Sequence, residues 1–220
     1  MNFSIAEENY IKAIWHLQRL HEEVSTNLLA ARLQTKPASV TDMLKKLKAK
    51  KLVHYEKYHG FSLTNEGKKI ALGIIRRHRL WEYFLAEKLK FDWDEVHAVA
   101  EELEHVSSKK LIDKLDEYLG FPKADPHGDP IPDQQGKMEV SSSFSLNEIS
   151  LNKIAEVSGV GNQSSELLEV LKHKNIRIGT RLEVKKRFQF DNSLEIKIRN
   201  VPAFTISEQL AKNLLVKYGK

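Results

Sequence analysis

Cysteine is absent from the 220 residues, which excludes disulfides, thiolate zinc sites and cysteine nucleophiles. Any metal site must be built from His, Asp, Glu, Asn, Gln or Met, and such donors favour the harder metals. Long apolar runs are missing too. No stretch of about 18 uncharged apolar residues occurs, and the first twenty residues carry Glu7, Glu8, Lys12 and Arg19 rather than a basic start and an apolar core. A soluble, cytoplasmic chain is the expectation. Proline is scarce: of six, four fall within FPKADPHGDPIPDQQGK, which has no apolar period and reads as a loop. The sequence offers no nucleophile and base pair and no glycine-rich phosphate loop, so an enzyme is not expected.

What is present is a hydrophobic fraction of 41%, enough for a sizeable core, and a net charge of +5. The charge is uneven. Residues 1–72 hold 12 Lys/Arg against 7 Asp/Glu, and the remaining 23 of each sign cancel. A basic segment beside neutral ones suits phosphate contacts, because each cation near a phosphate releases counterions.

The apolar spacing of residues 4–20, with Ser4 and Glu7 matching a capping box, predicts a first helix. A short helix over 27–33, a turn at 35–38 and a helix that begins at Pro37 and runs to about Lys50 follow. LVHYEKYHGFSLT then reads as two short strands turning near Gly60. Three helices and a hairpin make a winged helix-turn-helix. A long helix is predicted from Asn65 to about Lys90, with two more over 94–105 and 108–118. Ser141 to Ser143 read as a linker, and from Phe144 onward short alternating runs predict a small β-rich domain with one or two short helices. The predicted fold is mainly α with small β parts, in three domains: 1–71 for DNA binding, 72–140 helical, and 141–220 β-rich.

On the helix from Pro37, Val40, Met43, Leu44 and Leu47 take the inward face. This leaves Ser39, Thr41, Asp42, Lys45, Lys46 and Lys48 outward. Small polar side chains lead and lysines follow, the order in which a recognition helix meets base edges and then phosphates. Lys36, Pro37 and Ala38 precede them, and Lys57, Tyr58 and His59 at the hairpin tip are placed to meet the sugar-phosphate backbone. Together these residues form the predicted DNA-reading surface.

A second pattern concerns metal. VHAVAEELEHV puts His97, Glu101, Glu104 and His105 within about a 100° arc of one helix, and His78 and Glu82 are four apart on the long helix. Clustered carboxylates repel and raise their pKa values unless a cation joins them.

These residues, with the motifs EENYIKAIW, PASVTDMLKKL, LTNEGKKIA, RHRLWEYFL, EHV and HGDPIP in order, resemble the diphtheria toxin repressor family of iron- and manganese-dependent regulators. The resemblance covers the whole chain. It implies a winged-helix domain, a helical metal-binding and dimerisation domain, and a C-terminal SH3-like β-barrel. It implies an ancillary metal site of His78, Glu82 and His97, joined by Gln163 and Glu166 from the third domain, and a primary site of Asn9, Glu101, Glu104 and His105. Glu101 stands where iron-dependent members carry Cys and where manganese-dependent members carry Glu, so Mn²⁺ leads and Fe²⁺ follows, with up to two sites per subunit. Two departures stand in the first helix: Asn9 replaces a Met or Asp, and Lys12 replaces a Glu of the manganese regulators. The loss of two carboxylates argues against a manganese-type binuclear site, and Lys12 can pair with a neighbouring carboxylate instead.

The implied function is a homodimeric, metal-activated repressor of metal-homeostasis genes that reads palindromic operators, with recognition helices about one turn (~34 Å) or more apart. Two other readings use the same features. Carboxylate helices also build di-metal oxidoreductases, but these need two E-x-x-H motifs, and only Glu101 to His105 approximates one. A winged-helix regulator could instead answer an organic effector, the His/Glu cluster being structural.

Overall fold

The computed structural model describes residues 3–21, 23–55, 60–139 and 142–219. By packing, the chain divides into two compact units. The first comprises residues 1–78, 101–115 and 132–138; the second comprises residues 79–100, 116–131 and 139–220.

In the first unit, α1 (Ile5–Leu20) starts at Ser4, whose Oγ accepts from the Glu7 amide while the Glu7 carboxylate accepts from the Ser4 amide. This is the predicted capping box, and it satisfies amides that a helix start leaves orphaned. α2 (Thr26–Arg32) ends where Gln34 enters the left-handed region at φ 50°, so that the Thr35 amide can reach the Ala30 carbonyl at 2.9 Å. That closure sets the tight turn into α3 (Pro37–Ala49), where Pro37 in the first turn lacks the amide that would otherwise need a cap. β1 (Val53–Tyr55) and β2 (Phe61–Leu63) pair antiparallel, Val53 opposite Leu63. Ile11, Ile14, Leu29, Val40, Leu44, Leu47, Leu52 and Ile74 are fully or almost fully buried in one core. Lys57, Tyr58 and His59, the predicted wing tip, lie outside the described residues.

α4 (Asn65–Glu87) contributes Asn65 to His78 to the first unit and the rest to the second. α5 (Val96–Leu103) is shorter than its predicted span at both ends, so Glu104 and His105 lie in the turn that follows it. α6 is Lys109–Tyr118.

The second unit is built on six antiparallel strands in the order β3-β8-β4-β5-β6-β7. These are β3 (Phe144–Ser145), β4 (Ile154–Val160), β5 (Arg181–Arg187), β6 (Leu194–Ile198), β7 (Phe204–Ile206) and β8 (Leu214–Tyr218). α7 (Ser165–His173) links β4 to β5, and α8 (Glu208–Asn213) links β7 to β8. Register shifts between Val157 and Gly159 and between Val184 and Lys186 bend the sheet, as the corners of a small barrel require. Alternate residues of β4, β5 and β6 face a core that includes Val157, Leu171, Val184, Ile196 and Val216.

The proline-rich segment is not irregular. Asp125 Oδ1 accepts from the amides of His127 and Asp129 at 2.8 and 3.0 Å, which folds the loop around its own aspartate. Gly128 sits at φ +88°, where a Cβ would come within 2.1 Å of the Ser158 carbonyl oxygen of β4. The Val160 amide donates to the His127 carbonyl at 3.1 Å. Glycine is therefore required for the loop to lie against β4.

Candidate metal centre and DNA-reading helix

Two clusters of ligand-type side chains lie each within a single unit. In the first unit, α1 carries Glu8 and Lys12 on one face, four residues apart. Lys12 Nζ donates to both carboxylate oxygens of Glu104, at 2.6 and 2.8 Å, and to Glu101 Oε1 at 3.4 Å. The Glu104 side chain is fully buried, and His78 Nδ1 lies 2.6 Å from its Oε2. Burial works against its ionisation, but the hydrogen bond from His78 and the Lys12 charge outweigh burial and hold its pKa below the usual carboxylate value. Glu8, also buried, receives Arg77 Nη2 at 2.7 Å on Oε1 and faces His105 Nδ1 at 2.6 Å with Oε2.

Of the predicted primary site, the structure brings Glu101, Glu104 and His105 into one neighbourhood. Asn9 is half-buried on α1, and its side chain has no hydrogen bond or ion pair with them among the described residues. Sequence reading missed Glu8 and Arg77. The i, i+4 spacing of Glu8 and Lys12 was the available signal.

In the second unit, Glu82 of α4 is the centre. His97 Nδ1 of α5 lies 3.1 Å from its Oε1, and His127 Nδ1 lies 3.8 Å from its Oε2. Ligand atoms of Glu82, Asp125 and His127 all fall within 4.8 Å of one another. The three side chains are 1, 1 and 0% exposed. His127 Nε2 donates to the Trp93 carbonyl at 3.0 Å, which leaves Nδ1 as the nitrogen that faces the carboxylates. Two buried carboxylates together are costly. The Asp125 pKa is pushed up to about 8, first by burial and then by the charges of Glu82 and Asp129. Burial opposes protonation of His127, but Glu82 outweighs it and raises that pKa as well. A divalent cation among these groups would offset the carboxylate charges that contribute to both shifts, and an oxygen-rich set with one or two imidazoles fits Mn²⁺ or Fe²⁺. Asp125 and His127 were absent from the predicted ligand set, although the HGDPIP motif that begins at His127 was noted.

Gln163 Nε2 donates to Asp129 Oδ2 at 3.1 Å, and Arg79 Nη2 donates to the same oxygen at 2.9 Å. Gln163 thus reaches the loop that carries Asp125 and His127. Glu166 is exposed, in the first turn of α7, and its pKa is lowered by its own backbone amide and by Ser164.

On α3, Lys36, Pro37, Ala38, Ser39, Asp42, Lys45 and Lys46 are exposed and Thr41 is half-buried, while Val40, Leu44 and Leu47 face the core. Asp42 is paired with Lys45 at 3.2 Å. The outward face is the predicted one. No helix of the described residues is long and apolar enough to cross a membrane.

Comparison with known proteins agrees with this architecture. Residues 2–61 match the iron dependent repressor N-terminal DNA binding domain, residues 64–133 its metal binding and dimerisation domain, and residues 144–218 the FeoA domain. The transcriptional regulator MntR of Oceanobacillus iheyensis is 35% identical over 118 residues, 54% of this chain and 80% of that protein. The iron-dependent repressor IdeR of Mycobacterium leprae is 32% identical over 128 residues, 57% of this chain, and the match spans about half (54%) of that relative. A solved manganese-dependent transcriptional repressor in complex with manganese superposes with a TM-score of 0.85 at 31% identity, covering 97% of this chain and 100% of that one. The chain belongs to the family of metal-dependent transcriptional repressors that includes MntR, IdeR and the diphtheria toxin repressor.

Proposed function

We propose that this chain is a cytoplasmic, homodimeric repressor that binds palindromic operators of metal-uptake genes when loaded with Mn²⁺, or second with Fe²⁺. The reading uses three functional parts: residues 1–71 read DNA, 72–140 bind metal and dimerise, and 141–220 lend side chains to the metal region. The observation that carries it is the buried convergence of Glu82, Asp125 and His127. These three residues and His97 would hold the ion, which would add to the positive charge that Arg79, its Nε 3.5 Å from Asp125 Oδ2, already brings to the two buried carboxylates. Trp93 fixes the imidazole orientation from its carbonyl, and Asp125 is aimed by the amides of its own loop. Gln163 reaches the same loop through Asp129.

The exposed face of α3 would enter the major groove, Ser39 and Thr41 toward base edges and Lys36, Lys45 and Lys46 toward phosphates. Lys57, Tyr58 and His59 would follow the backbone as the wing. Support for a dimer comes from large apolar side chains exposed on and near the helices, among them Leu89 (54%), Leu111 (43%) and Tyr118 (65%). A second copy covering them would remove that surface from water.

The test is selection of bound duplexes from a random pool, run with Mn²⁺ and with a chelator. A palindrome should be enriched with Mn²⁺ and not with the chelator. Equal enrichment in both, or enrichment of no sequence in either, contradicts the reading.

A further inference from the structure

We propose that the Lys12 ammonium is a built-in cation that takes the place of a metal ion at the first-helix site, so that α1 and the turn after α5 are joined without metal. The family resemblance puts ligands here, and the residues present do not fit a divalent ion. Both oxygens of Glu104 already accept from Lys12, and both oxygens of Glu8 are engaged, one by Arg77 and one by His105. Three carboxylates, Glu8, Glu101 and Glu104, therefore face two permanent cations. A bound ion would have to displace the Lys12 ammonium, whose side chain is only 14% exposed, and would bring two further charges beside Arg77.

The donor geometry agrees. Among the described residues, no three ligand atoms drawn from Glu8, Glu101, Glu104 and His105 lie within 4.8 Å of one another, as those of Glu82, Asp125 and His127 do. The first-helix position at which the family resemblance implies a ligand is Asn9, whose side chain makes no hydrogen bond with the cluster among the described residues. Lys12, four residues beyond Glu8, projects from α1 into the place where the charge is needed. Its Nζ sits between the two oxygens of Glu104 and near Glu101, the arrangement in which one monovalent head group satisfies a carboxylate pair.

α1 lies in the core of the DNA-reading region through Ile11 and Ile14. A tether from its Lys12 to Glu104 is thus independent of metal supply. Metal response is left to the Glu82 cluster, but the Lys12 proposal does not depend on that cluster binding metal.

The full chain is dialysed against excess Mn²⁺ and bound metal is counted per chain. Wild type, Glu104→Gln, Lys12→Glu and the double variant are compared. Glu104→Gln should keep the wild-type count. Lys12→Glu should gain one Mn²⁺ per chain, and the double variant should lose that gain. Loss of one Mn²⁺ in Glu104→Gln, or no gain in a folded Lys12→Glu, overturns the proposal. A wild-type count of zero would instead contradict the function proposed above and leave the comparison of variants decisive here. Should the variants not fold, acylation of Lys12 in the wild-type chain decides: slow labelling unchanged by Mn²⁺ is expected, and labelling accelerated by Mn²⁺ overturns the proposal.

Discussion

His127 donates its Nε2 hydrogen to the backbone carbonyl of Trp93 at 3.0 Å, and the two rings stack with centroids 5.8 Å apart. The carbonyl can only accept, so Nε2 keeps its proton and any exchange of proton for metal takes place at Nδ1. Titration with Zn²⁺, followed through the ring ¹⁵N resonances, should shift Nδ1 and leave the Nε2 hydrogen in place. Loss of the Nε2 hydrogen would contradict the assignment.

Gly128 holds His127 in position. In Gly128→Ala the new Cβ meets the Ser158 oxygen at 2.1 Å on a backbone at φ +88°, and the cost is on the order of 1–3 kcal/mol. Thermal melts of the metal-free variant should show the second unit weakened, and Mn²⁺ affinity should fall with it. A variant as stable as wild type would mean that the loop has another resting conformation.

Lys12→Ala removes the charged partner of a fully buried carboxylate. Breaking such a pair costs roughly 3–5 kcal/mol, because the remaining charge stays desolvated. Urea unfolding should show this loss, and Glu104→Ala in the same chain should restore part of it. Additive losses in the double variant would show that the two do not interact.

The start of α1 has a pH dependence of its own. The Glu7 carboxylate accepts from Lys50 and from the Ser4 amide, and these bonds hold its pKa below the ordinary 4.5. A carboxylate with a lowered folded pKa contributes stability that is fully present above the unfolded value and is lost as pH falls through the folded value. Stability measured by urea should therefore drop below about pH 4.5 more steeply in wild type than in Lys50→Met. Ser4→Ala should cost about 1 kcal/mol at neutral pH by removing the cap.

On the DNA-reading helix, Lys45→Ala and Lys46→Ala should weaken binding to all duplexes alike, each lowering the slope of log affinity against log salt by about one. Ser39 and Thr41 substitutions should change which duplexes are selected. If the lysine variants changed sequence preference and left the salt slope intact, the orientation of α3 on DNA would be wrong.

Periodic, locally specified features were legible in the sequence: the capping box at Ser4 and Glu7, the Pro37 start of α3, and the alternation of β4 to β6 follow from neighbouring residues alone. The clusters were legible only in part. His97, Glu101, Glu104 and His105 read as one helical face, but α5 ends at Leu103, and His97 joins Glu82 while Glu104 joins Lys12. Helix periodicity alone could not reveal that division, because tertiary partners decide it. The family resemblance did place His97 with Glu82 and Glu104 apart from them, but it did not give Lys12 as the partner of Glu104. Asp125 and His127 were hidden for a related reason. Their segment has no apolar period, and its order comes from hydrogen bonds of Asp125 to its own loop and from close approach to β4.

The most direct test of the account is the affinity of the full chain for its selected duplex, measured by fluorescence anisotropy with saturating Mn²⁺ and again with a chelator. A coupling of 1–3 kcal/mol predicts tightening by roughly 5- to 150-fold, abolished in Glu82→Gln. Equal affinities with Mn²⁺ and with the chelator would contradict metal-dependent repression by this chain.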